Sequence, residues 1–113
     1  MNKIELMLIA LRDSYENMYE IFTEGSCFQL YLVLKALHPE AVPYWSDKQN
    51  HAVTKVGEFY YDIGGILNTK HVESPEQGAY YIVTPEKIAG YSLLKYTSKE
   101  ESRDITIERY EHN

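Results

Sequence analysis

The chain has 113 residues, of which 44% are hydrophobic and 25% charged, with six Gly and four Pro. These proportions exclude disordered, collagen-like and low-complexity classes, and the length suits one domain with a core of its own. The formal net charge is −6, and eleven Lys and Arg face seventeen Asp and Glu. No basic stripe exists to follow a phosphate backbone, so nucleic acid is not an expected partner. One cysteine, Cys27, excludes an internal disulfide framework and a multi-cysteine zinc site, and it fits a reducing compartment. The apolar run Leu6–Leu11 is closed by Arg12-Asp13. It is too short for a membrane span or a signal-peptide core, so the expectation is a cytoplasmic protein with no membrane partner.

Ile4, Met7, Leu8, Leu11, Tyr15, Met18, Tyr19 and Phe22 recur at three- and four-residue intervals. That stripe predicts one helix of about five turns, ending near Thr23-Glu24-Gly25. A second helix is predicted from Ser26 or Cys27 to Leu37, with Ser26 as its N-cap and Pro39 beyond its end. Apolar residues lie on nearly every side of it, which predicts a central helix covered all round.

After Pro39 the period becomes two. Ala41–Trp45 predicts an irregular strand that Pro43 pushes toward an edge. His51–Val56 and Phe59–Ile63 flank Gly57-Glu58, which predicts a type II′ hairpin. Asn68 to Gly78 reads as a loop, and Ala79–Val83 as a third sheet strand. Thr84-Pro85-Glu86 starts a helix of one or two turns through Ala89. Ser92–Tyr96 and Asp104–Tyr110 predict further strands, with Lys99–Asp104 as a solvated turn between them. The expected class is α+β: an N-terminal helix and a central Cys-bearing helix packed on a mostly antiparallel sheet.

Cys27 at a helix start is where the dipole and unpaired N–H groups favour a thiolate and an oxyanion. A nucleophilic thiol needs a base, and the base an orienting partner. The hairpin offers both. If Val56 faces Phe59, then Val53 faces Asp62 and His51 faces Gly64. His51 and Asp62 then share a face as diagonal neighbours, with Cα atoms about 7–8 Å apart. A slip of one residue would separate them, so the pairing depends on the turn. Against this stand the ordinary uses of each residue: Cys as a small core side chain, His as a satisfied polar group, Asp as the start of a turn.

Gly25-Ser26-Cys27-Phe28 opening a helix, then His51–Gly57, then Phe59-Tyr60-Tyr61-Asp62, resembles the transglutaminase-like branch of the papain-like cysteine-enzyme superfamily. The resemblance covers roughly residues 20 to 66 and implies a Cys27 nucleophile, a His51 general base and acid, and an Asp62 that orients the ring. It implies acyl transfer from a peptide, a protein or a small amide or thioester to water or an amine, without cofactor or metal. The competing expectation is a non-catalytic binding, inhibitor or accessory protein on the same fold, encoded by a phage or a bacterium. A plain structural component of a larger assembly is a third.

Other candidates carry less. Trp45 and Tyr44 precede the His strand and suit core packing or a cleft wall. Gln29 is on a different helix face from Cys27. His38 suits a helix end, His71 falls in a polar loop and His112 in the tail, and the four histidines show no metal-ligand spacing.

Overall fold

The computed structural model describes residues 2–24 and 27–89. Four helices and five strands follow in the order α1 (Lys3–Asp13), α2 (Met18–Glu24), α3 (Cys27–Leu37), β1 (Val42–Ser46), β2 (His51–Val56), β3 (Phe59–Asp62), β4 (Gly65–Ile66), α4 (Thr69–Glu73) and β5 (Tyr81–Ile82). Residues 85–89 add a helical turn. The strands form one antiparallel sheet in the order β4-β3-β2-β1-β5. The architecture is α+β, with helices packed on a five-stranded antiparallel sheet, as the change of period at Pro39 implied.

The helices of the N-terminal half pack on one face of that sheet. Ile4, Leu8, Leu30 and Leu34 of α1 and α3 bury against Val56, Tyr61 and Ile66 of β2, β3 and β4. Leu8 and Leu34 are wholly buried. The opposite face carries Val53 and Tyr60, covered by Leu67, Val72 and Tyr80 from the connection through α4.

The N-terminal stripe does not make one helix. Asn2 caps α1 through a reciprocal box with Glu5, and Ser14 closes its end on the Leu11 carbonyl. Asn17 then takes φ +64°, and the helix restarts at Met18. An asparagine accepts the left-handed conformation more readily than most residues, so the break falls there. Tyr15, which the stripe counts as apolar, lies in the break and is 77% exposed. At the other helix, Gly25 and the expected cap Ser26 lie outside the described residues.

The hairpin pairs Thr54 with Tyr61, Lys55 with Tyr60 and Val56 with Phe59, which is the register expected from the turn. Gly57 has φ +62° and is alone among the two loop residues in a positive φ, the sign pattern of a type II′ turn. Beyond Asp62 the ladder departs from expectation. His51 does not face Gly64, because the chain turns through Ile63-Gly64 and Asp62 pairs with Gly65 of β4. The strand therefore ends at Asp62, one residue before Ile63.

Pro43 is not on an edge: β1 lies between β2 and β5. Its carbonyl accepts from Val83 N at 3.2 Å, so the backbone polar groups of Pro43 point toward β5 and its missing N–H is not demanded by the ladder to β2. The expected loop over 68–78 contains α4, capped by Asn68, whose Oδ1 accepts from Lys70 N at 2.9 Å. The expected strand Ala79–Val83 shortens to Tyr81–Ile82, since Ala79 has φ +53°. The expected strands Ser92–Tyr96 and Asp104–Tyr110, the turn Lys99–Asp104 and His112 all lie outside the described residues.

Candidate functional site

Three elements end at one rim of the sheet: β1 at Ser46, β2 begins at His51, and β3 ends at Asp62. Ser46 faces His51 across the ladder, and Trp45 faces Ala52 beside them. Cys27, the first residue of α3, packs with Trp45 and Ala52. The helix start is thereby seated over the same rim from which His51 and Asp62 project.

His51 and Asp62 are wholly buried, and Cys27 is 3% exposed. The His51 Nε2–H donates to Asp62 Oδ2 at 3.1 Å. The other carboxylate oxygen, Oδ1, accepts from Gly64 N at 2.8 Å. Asp62 therefore closes the turn after β3 with one oxygen and accepts from the histidine with the other. That double attachment leaves the carboxylate little rotational freedom.

With Nε2 committed to Asp62, Nδ1 is the ring nitrogen left for another partner. It is buried. The side chain besides Asp62 that acts on the ring, through hydrogen bonding and charge, is Cys27. Thiol and imidazole are thus neighbours. Burial opposes a charge on the imidazole, but the bonds to Asp62 and Cys27 and the charge of both outweigh it. The His51 pKa is raised above the ordinary histidine value, so the protonated ring is favoured beside the two acids. An imidazolium next to a thiol at a helix N-terminus is the electrostatic setting that favours a thiolate.

The remaining candidates fall elsewhere. Gln29 is exposed, away from the thiol. Trp45 is 3% exposed and is both core and site wall, its indole N–H donating to Asp47 Oδ1 at 2.9 Å, whereas Tyr44 belongs to the other face, edge-on to Tyr60. His38 lies 3.9 Å from Glu40 near the end of α3. His71 is not in an exposed polar loop. It sits in α4, buried, with its ring 6.3 Å from that of Tyr80. Among the described residues no group of three or more His, Cys, Asp and Glu could hold a metal ion. Also among them, no helix is long and apolar enough to cross a membrane.

Sequence reasoning missed the covering of the thiol. Val83 and Ile88 join Trp45, Ala52 and the half-buried Phe28 around Cys27. Those two come from the strap after β5, which no periodicity ties to a helix fifty residues earlier.

The fold and rim together define a small α+β protein with a buried cysteine, histidine and aspartate brought together by a helix start and two adjacent strands. Residues 6–111 match the model of the phage YunG-like protein family, and the chain belongs to that family. No curated protein and no solved structure matches it.

Proposed function

We propose that this protein is a small cysteine-nucleophile enzyme of the transglutaminase-like type, acting on an amide, ester or thioester by acyl transfer. The observation that carries the reading is the buried bond of 3.1 Å from His51 Nε2 to Asp62 Oδ2, with Cys27 as the ring's other neighbour. The order Cys, His, Asp and the elements bearing them agree with that superfamily, and Asp62 oriented by Gly64 N supports an orienting role.

In the reaction, the Cys27 sulfur adds to the acyl carbon, and the N–H groups at the start of α3 serve as donors to the developing oxyanion. The bond to the leaving amine, alcohol or thiol breaks, and His51 gives that group its proton. A water or amine then gives up a proton to His51 and attacks the acyl carbon. The C–S bond breaks, and the thiolate and imidazolium are restored. Asp62 keeps Nδ1 facing the sulfur throughout.

An activated ester such as p-nitrophenyl acetate tests this directly. The expected result is a burst of about one p-nitrophenolate per protein and an acetyl group on Cys27 in the intact mass, since acyl-enzyme formation outruns deacylation. Cys27→Ala, folded by circular dichroism, is expected to show neither. A folded Cys27→Ala that keeps the burst would end the reading.

A second reading, a phage-encoded binding or inhibitor protein, is favoured by the burial of Cys27 and by the exposed apolar residues Leu32, Val33 and Leu37 on α3. A stable partner retained by a Cys27→Ser, His51→Ala double variant would support it over catalysis.

A further inference from the structure

We propose that the Cys27 site admits uncharged, apolar acyl groups, and that Val83 and Ile88, on the strap over the thiol, set what is admitted. This rests on the acyl-transfer reading above.

The surroundings of the sulfur carry the argument. Cys27 clusters with Trp45, Ala52, Val83 and Ile88, and Phe28 packs against them. All are apolar. The charged groups that act on His51 at this rim are Asp62 and Cys27, and the ring answers both. Away from the His51 ring, a carboxylate or ammonium carried in with the acyl group would meet only apolar side chains among the described residues of that cluster, and an unpaired buried charge is costly. An aliphatic or aromatic acyl chain would gain by leaving water for the same walls.

The strap over residues 83–89 joins the cluster around the thiol through Val83 and Ile88. Val83 N donates to the Pro43 carbonyl at 3.2 Å, anchoring the strap where β5 ends. Thr84 then starts the helical turn: its hydroxyl accepts from Lys87 N at 3.2 Å and its carbonyl from Ile88 N at 3.0 Å. Thr84 to Lys87 face solvent while Ile88 is wholly buried. After burial, the charge of Glu86 is what raises the Tyr31 pKa. Tyr31 lies one helical turn after Cys27 on the same face of α3, so the strap follows that face. Cys27 is 3% exposed, and in this proposal an acyl carbon reaches the sulfur as the Val83 and Ile88 side of the cluster gives way. Ile88 is the larger of the two and is held by a single short turn.

The test uses three methanethiosulfonates of different charge on the whole protein: ethyl (neutral), sulfonatoethyl (anionic) and trimethylammonioethyl (cationic). Each forms a mixed disulfide with the lone thiol and releases methanesulfinate. Rates are divided by those with free cysteine, which removes intrinsic reactivity. The neutral reagent is expected to react faster than either charged one by about tenfold or more, the penalty of bringing an unpaired charge into an apolar site. A fourth reagent, the bulkier neutral benzyl methanethiosulfonate, is expected to gain speed relative to the ethyl one in Ile88→Ala, and Ile88→Asp is expected to turn the preference toward the cation, in variants folded by circular dichroism. Equal normalised rates, or a charged reagent fastest on the wild type, would overturn the proposal. So would a thiol that no reagent reaches in either the wild type or Ile88→Ala. Failure of the Cys–His reading has a different signature: the ranking survives, but His51→Ala leaves the neutral rate unchanged. If no reagent reacts, the His51 ring titration by NMR judges the pair without needing access to it.

Discussion

Two histidines are buried among the described residues, and they lie in unlike surroundings. His51, at the rim, has a carboxylate at 3.1 Å and a thiol beside it. His71, under the other face, packs its ring against Tyr80 and sits in α4 between Asn68 and the return of the chain at Gly78. Burial alone does not mark a functional histidine. What separates the two is the setting: an acid fixed by a second hydrogen bond and a thiol at a helix start, against an aromatic wall.

The sharpest way to break that contrast is at Asp62. Asp62→Ala strands His51 in a wholly buried site and releases the turn at Gly64. It is expected to cost about 3–5 kcal/mol, measured by urea unfolding. Asp62→Asn keeps the shape and isolates the charge. Burial lowers the His51 pKa and the Asp62 charge raises it. With the charge gone the midpoint of the ring titration is expected to move down, leaving His51 less protonated at neutral pH. An unchanged midpoint in the NMR titration would remove Asp62 from its orienting role.

The His71 region is held by close packing instead. A Cβ at Gly78 would lie 2.7 Å from the His71 carbonyl oxygen and 2.7 Å from the Tyr80 ring. Gly78→Ala is therefore expected to cost about 1–3 kcal/mol in urea unfolding, while thiol chemistry at Cys27 stays as in the wild type. His51→Phe and His71→Phe compare the two rings in one assay. The first is expected to slow Cys27 modification at pH 7 by about tenfold, the effect of one unit in thiol pKa, and the second to leave the rate unaltered. Equal effects would erase the distinction. Smallest of all, Asn68→Ala removes the cap of α4 and is expected to cost about 1 kcal/mol, seen as faster amide exchange within Thr69–Glu73.

The His51 side of this contrast is largely legible in the amino-acid sequence. Gly57 sets the hairpin register, and with it the shared face of His51 and Asp62, because a positive φ at that loop position favours glycine and the strand period is two. The start of α3 at Cys27 follows from the apolar run and Pro39. The His71 side is not legible. A helix of five residues is too short to show a periodicity, and its signal is a local one, Asn68 as a cap two residues before Lys70. The break at Asn17 is hidden because the apolar spacing continues through Tyr15, and spacing reports which residues would share a face, not whether the backbone between them stays helical. The expected pairing of His51 with Gly64 fails because Asp62 begins a new turn with its own side chain, a local bond that competes with the ladder.

The central claim is that Cys27 and His51 act as one unit. The most direct test is the rate of Cys27 alkylation by iodoacetamide across pH, on the wild type and on His51→Ala. The lone cysteine leaves no ambiguity about the site. The account predicts an apparent thiol pKa well below the free value of about 8.5 in the wild type and a return toward it in the variant. A profile that follows an ordinary thiol in both proteins would contradict it.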